Sequence, residues 1–229
     1  CCPVVKPGPG GPTPPGLDWD LWLGPAPWAP YHPSRCLFNF RFWMDYAGGF
    51  ITDNGTHMMG VVGWAMGTDD TGPATIEATG RLEPENLYDV PVEFSVRYEF
   101  ENPKFTLTWE QPGDGGLNMQ FVGSQATFTG FFKPTLTQGE ADQSPTRANE
   151  VQLPVSNDHF ANWLECVASR KRPVYAVEIG HRVTSWSHLG NIAFLLGRKL
   201  RWDPVAQCFP GDGEANRLLQ RPYREPWRL

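Results

Sequence analysis

Apolar side chains recur with a helical period in some segments of this chain and alternate with polar ones in others. Between Thr52 and Gly67, the positions Met58, Val61, Val62, Trp64 and Ala65 fall at helical spacing. Asp53 or Asn54 stands where an N-cap belongs and Gly67 where a helix stops, so a helix is predicted over about 54–66. Gly48 and Gly49, just ahead of it, allow a tight turn or close approach to a ligand. Segments 75–82, 92–100, 104–111, 119–124 and 125–132 alternate or carry β-branched and aromatic residues, and short Asn-Pro and Gly-rich breaks join several of them. An antiparallel meander is the expected arrangement. Two further helices are predicted, from Asn157 to about Arg170 with Phe160, Trp163, Leu164 and Val167 on one face, and from Val177 to about Leu196, stopped by Gly197. A short strand at KLRWD and a helix at DGEANRLL close the chain.

The remaining segments punctuate these elements. Residues 1–16 are rich in Pro and Gly and read as an extended linker, with a domain boundary there or just upstream. Residues 17–33 mix aromatic and polar positions with prolines, which suits an extended segment anchored by Trp19, Trp22 and Trp28 rather than a helix. The polar stretch LTQGEADQSPTRANEVQ is expected to be a surface loop. Helices flanking a run of strands predict the α+β class, an open and mainly antiparallel β-sheet with helices packed on one face. The organisation is then a linker at 1–16 and a domain at 17–229. If the sheet's other face is aromatic and aliphatic, it would meet another subunit or domain, and a homo-oligomer through that face is expected.

Composition narrows the function. With 229 residues and 40% hydrophobic side chains, the chain has enough material for a core without metal or disulfide staples. There is no long apolar run and no secretory leader pattern, so no membrane partner is expected. The net charge of −6 argues against nucleic acid as a partner. The sign is uneven, with 11 of the 19 basic but only 5 of the 25 acidic residues from Arg170 onward. The five cysteines show no C-x-x-C spacing, and His181 and His188, seven apart on one helix, are a His pair of a kind that more often packs and hydrogen-bonds than binds metal. No metal site is assigned. No phosphate-cradling or dinucleotide-binding glycine motif, H-E-x-x-H or G-x-S-x-G occurs either.

One constellation carries chemistry. Asp53 and His57 are four apart and share one side of a helix beside the Gly-Gly bend. Two readings follow from the spacing: a carboxylate that orients an imidazole as general acid or base, or an N-cap followed by an ordinary polar residue. Arg41, Asp45 and Tyr46 precede the glycines and would project polar groups toward the same hollow as His57, or Arg41 and Asp45 would equally form a surface ion pair.

The string GGFITDNGTHMMGVVGWAMG at 48–67 resembles the Gly-Gly-x-x-x-Asp-x-x-x-His segment of the Gfo/Idh/MocA (glucose-fructose oxidoreductase / inositol dehydrogenase) family. LDWDLWLGPAP at 17–27, RPVYAVEIGHRVTSWSHLGNIAFLLGRKLRWDP at 172–204 and GDGEANRLLQRPYREPW at 211–227 resemble the C-terminal domain of its bacterial branch. The resemblance implies an N-terminal Rossmann domain holding NAD or NADP, absent from this chain, and a C-terminal domain for substrate binding and oligomerisation. It also implies that Asp53 and His57 are catalytic, with Arg41, Trp43, Asp45 and Tyr46 toward a sugar or polyol. The family's Glu-Lys-Pro lysine has no counterpart here, since Phe131-Phe132-Lys133-Pro134 follows the Asp and His instead of preceding them. Gly60 stands where many relatives carry an acidic residue.

The expectation is therefore a substrate-binding and oligomerisation domain of an NAD(P)-dependent oxidoreductase, binding no cofactor and inactive by itself. A non-catalytic assembly module and a redox-neutral sugar-processing enzyme that recycles NAD are the alternatives. Cytoplasm and periplasm both stay open.

Overall fold

The computed structural model describes residues 2–111, 118–131, 134–140, 150, 152 and 154–227. The chain divides into two compact units, one of Cys1–Gly115 with Arg182–Leu229 and one of Gly116–His181. Its helices are α1 (Trp19–Leu23), α2 (Gly49–Met66), α3 (His159–Ser169), α4 (Val177–Leu196) and α5 (Gly213–Arg217). Its strands are β1 (Thr75–Arg81), β2 (Glu93–Glu101), β3 (Lys104–Gln111), β4 (Gln120–Val122), β5 (Ala126–Thr129), β6 (Thr135–Gly139) and β7 (Leu200–Arg201). A 3₁₀ turn runs from Leu37 to Phe42.

The first unit is built on an antiparallel sheet in the order β3-β2-β1-β7. Strand alternation sends Ile76, Ala78, Phe94, Val96, Tyr98, Phe100 and Trp109 inward, where all are buried. Against them lie Ile51, Met58, Met59 and Val62 of α2 and Val183, Trp186, Leu189 and Ala193 of α4, also buried. The contact is close: a Cβ on Gly190 would sit 2.6 Å from the Tyr98 hydroxyl, and one on Gly55 3.0 Å from Ser187 Oγ and 3.2 Å from Trp109 Nε1. Phe100 meets Trp186 edge to face at 5.1 Å. This is the expected α+β arrangement with helices on one face of an antiparallel sheet.

The outer face differs from the condition on which an apolar subunit contact was expected. Its outward positions are Thr75, Glu77, Thr79, Ser95, Arg97, Glu99, Thr106, Thr108 and Glu110, and they pair with one another. Lys199 contacts Glu99 at 2.8 Å, Ser95 donates to Glu110 at 2.9 Å, and Arg97 lies 3.6 Å from Glu77. Lys199 and Thr75 hold the Glu99 carboxyl at about 2.

The second unit carries its own antiparallel sheet, β4-β5-β6, with a register shift between Thr127 and Phe128. The predicted single meander is thus two sheets, and β6 takes the first residues of the polar stretch expected to be a loop. Residues 141–149 of that stretch lie outside the described residues. The helix predicted from Asn157 forms as α3, with Asp158 accepting from Ala161 N at 3.0 Å as its N-cap. Its apolar face is solvent-exposed at Phe160, Trp163, Leu164 and Val167.

Two boundaries depart from expectation. Residues 19–23, expected to be extended, form α1 because Asp18 accepts from Leu21 N at 3.0 Å and Gly24 closes the turn. The second helix begins at Gly49 rather than near Asn54, with Gly49 at φ +63° and Thr52 Oγ1 donating to Gly49 O at 3.0 Å. Asp53 therefore lies inside the helix and is not its cap. Gly67 ends it in the left-handed conformation, as expected. In the Pro/Gly-rich start, Cys2 is buried and Val5 pairs through Asn86 Oδ1 and Leu87 N.

Gly190→Ala should destabilise the protein by about 1–3 kcal/mol, because the methyl group would press on a fully buried Tyr98. Urea unfolding of the two proteins measures it, and an unchanged midpoint would mean that α4 can move off the sheet.

Candidate functional site

The site is assembled on the first turns of α2 and the segment leading into it. The 3₁₀ turn at Leu37–Phe42 swings Arg41 onto α2, where its Nη1 donates to Asp53 Oδ2 at 2.9 Å. The same guanidinium lies 4.0 Å over the Phe38 ring, whose side chain is otherwise exposed. Both partners of the ion pair are about a quarter exposed, so the pair is neither a solvated surface contact nor a core one. His57 follows one turn after Asp53 and is exposed. Of the residues singled out from the sequence, Arg41 and Asp53 are thus brought into direct contact. The carboxylate expected to orient His57 is engaged by Arg41.

Tyr46, Trp43 and Asp45 are held by a different set of partners. Arg35 Nη1 donates to the Tyr46 hydroxyl at 3.0 Å, and Trp22 meets the Tyr46 ring edge to face at 5.1 Å. Burial pushes the Tyr46 phenol above its ordinary value, with the Arg35 hydrogen bond opposing. Trp43 is buried, donates through Nε1 to Ser34 O at 3.1 Å, and has the Arg35 guanidinium 3.6 Å over its ring. It packs with Phe42, Tyr88, Val90 and Val92, so the ring face expected to be offered to a sugar is occupied by protein. The Asp45 carbonyl accepts from Arg221 Nη1 at 3.3 Å.

The turn between these residues and α2 has little freedom. Gly48 O accepts from the buried Asn191 Nδ2 at 3.0 Å, and a Cβ on Gly49 would sit 2.7 Å from Val90 Cβ. Arg221 Nη2 donates to Ala47 O at 2.5 Å. His188, one turn before Asn191, has its pKa lowered by burial first and by the Arg221 charge second. Arg35, Arg221, Asn191 and His188 were not singled out for this site, although the last three lie in the strings that resemble the family. Arg221 and Asn191 reach the site across the fold, so nothing in their local spacing points to it.

Among the described residues, no group of three or more His, Cys, Asp or Glu side chains comes together as a metal site, and no helix is long and apolar enough to cross a membrane. Phe132 and Lys133 of the Phe-Phe-Lys-Pro string lie outside the described residues. A cavity of about 610 Å³ in the second unit involves Trp163, Arg170, Lys171 and Tyr175, and none of the site residues named above.

The C-terminal alpha/beta domain of an oxidoreductase family matches residues 9–229, nearly the whole chain. The chain belongs to the Gfo/Idh/MocA family. No curated protein matches it. Among solved structures, the domain resembles an NAD-binding protein from Listeria innocua, with a TM-score of 0.51 and 14% identity over 77% of this chain and 55% of that one. It also resembles an aldose-aldose oxidoreductase from Caulobacter crescentus complexed with glycerol, with a TM-score of 0.50 and 13% identity over 71% of this chain and 50% of that one. At these identities the likeness shows the fold alone. The domain spans about half the length of these structures.

The lowered His188 pKa sets the sign of a pH effect. Its folded value lies below the unfolded 6.5, so the unfolded chain binds the proton first and stability falls as pH drops below about 6.5. Thermal melts between pH 7.5 and 5 should show this loss, and His188→Gln should flatten it. A wild-type profile that is already flat would contradict a neutral His188.

Proposed function

We propose that this domain supplies the substrate-side groups of an NAD(P)-dependent oxidoreductase acting on a sugar or polyol. The observation that supports this reading best is the geometry of α2. Asp53 is fixed by Arg41 immediately after the Gly48–Gly49 turn, and His57 is presented to solvent one turn later. An accessible imidazole on a rigid helix can give or take the proton of a substrate hydroxyl or carbonyl, and a carboxylate at i−4 that Arg41 holds in place can orient it. Arg41, Asp45 and Tyr46 supply polar groups suited to a polyhydroxylated ring, and the exposed Phe38 beside Arg41 adds an aromatic face where buried Trp43 does not. The sugar assignment draws on the aldose-aldose oxidoreductase likeness and on the family.

The described residues do not fit a dinucleotide. Both sheets are antiparallel throughout, so no βαβ crossover places a helix N-terminus at the end of a parallel strand, and α2 follows a 3₁₀ turn rather than a strand. The cofactor is assigned to an upstream Rossmann domain, and this chain alone is expected to be silent. Any homo-oligomer through the outer sheet face would form by pairing its Glu, Arg and Lys side chains rather than by apolar burial.

Calorimetry with NAD and NADP on this chain and on the parent carrying its upstream residues tests the division of labour. Binding by the longer protein only is expected, whereas binding by this chain would overturn it. In an active parent, His57→Ala should lower kcat by about 10²–10⁴-fold and Asp53→Asn by less. Unchanged turnover in both would favour the assembly-module reading. Product without stoichiometric NADH would instead favour the redox-neutral alternative.

A further inference from the structure

We infer that Arg221, in the tail beyond α5, is a positioning residue for the α2 site: it holds the backbone of Asp45 and Ala47 ahead of the Gly48–Gly49 turn and so sets where Asp53 and His57 are presented. The inference rests on the proposed reading of α2 as the substrate-side element.

Two adjacent glycines form the least constrained joint a backbone can have, and here the joint leads directly into the helix carrying both candidate groups. Three carbonyls at that joint are gripped from elsewhere in the fold. Arg221 Nη1 and Nη2 take Asp45 O at 3.3 Å and Ala47 O at 2.5 Å, and Asn191 Nδ2 takes Gly48 O at 3.0 Å. A guanidinium spans two acceptors with one planar fork, which an ammonium cannot do. Burial lowers the Arg221 pKa from its ordinary value, with the charges of Asp45 and Asp89 opposing that shift, and a neutral His188 adds no repulsion.

The tail itself is anchored. Three residues on, Arg224 pairs with Asp20 at 2.7 Å, donates to Gly24 O at 2.9 Å and Ala26 O at 3.2 Å, and its N–H donates to Pro25 O at 2.9 Å. Those contacts tie the tail to α1, whose Trp22 packs on Tyr46. Arg221 thus acts from a fixed base, and Pro222 after it favours an extended backbone. Its side chain lies outside the buried helix–sheet core, so its loss should act locally.

The test compares Arg221→Ala and Arg221→Lys with the unaltered chain by amide hydrogen exchange and by NMR titration of the His188 ring. Arg221→Ala should raise exchange over 45–52 about tenfold or more and leave β2 and β3 unchanged, while the His188 titration moves up because a nearby cation is gone. Arg221→Lys should keep the His188 titration but not the protection. Equal protection over 45–52, or a rise spread evenly across β1–β3, would overturn the inference. In an active parent, Arg221→Ala should lower kcat about 10–100-fold without changing the KM for NAD or NADP, and wild-type kcat alongside an inactive His57→Ala would also overturn it. Should His57→Ala prove fully active, the reading of α2 fails, and exchange and titration alone decide the role of Arg221.

Discussion

Gly190 allows α4 to lie so close to the sheet that Tyr98, Val96 and Ile51 all fall within 2.6–3.3 Å of where its Cβ would be. The rest of the first unit depends on this approach. It sandwiches α2 and α4 on the same strands, and it puts Asn191, one residue later, within reach of Gly48 O. The closeness has a polar cost, since the Tyr98 hydroxyl and the Trp109 and Trp186 indole N–H groups are buried without a hydrogen-bond partner. Leaving such a group unpaired costs about 1–3 kcal/mol. Burying a ring of about 150–250 Å² returns about 4–6 kcal/mol as an upper value. The rings win, and no polar network is needed to hold the sheet to its helices.

That balance explains which parts of the fold were legible in the sequence. Strands β1 to β3 and helices α2 and α4 are selected by apolar periodicity, and periodicity is what burial reads. Of the two five-residue helices fixed by an Asp cap, α5 was legible and α1 was not. Five-residue α1 depends on one Asp18 cap, and its aromatic and proline-rich sequence resembles an extended anchor. The start of α2 is illegible for a related reason: a Gly pair has the pattern of a turn before a helix, whereas Gly49 takes a left-handed conformation under Val90 and already belongs to the helix. The division of the strands into two sheets leaves no trace in local pattern, because alternation fixes a strand but not its neighbour.

The candidate site shows the same division between local and distant information. The Asp53 and His57 spacing was visible because both lie on one helix. The partner of Asp53 was not, because a 3₁₀ turn twelve residues earlier brings Arg41 to it. Trp43 and Tyr46 looked equivalent as aromatic residues beside the glycines, yet Arg35 covers the ring of one and caps the hydroxyl of the other. Phe38 keeps an exposed ring under the Arg41 guanidinium, and nothing in its spacing distinguishes it from Phe40 or Phe42.

Exposure of His57 also constrains the chemistry the domain could perform under the proposed reading. An imidazole open to bulk water exchanges its proton with solvent, and the dielectric around it weakens every electrostatic contribution to a transition state. The Arg41–Asp53 pair, only about a quarter exposed, is already partly withdrawn from water. A second surface laid over α2 would remove water from His57, strengthen the field of the Arg41–Asp53 pair and fix the reacting atoms. The rigidity that Asn191, Val90 and Arg221 impose on the joint before α2 has its physical use there: a surface completed from outside must meet groups that do not move when it arrives.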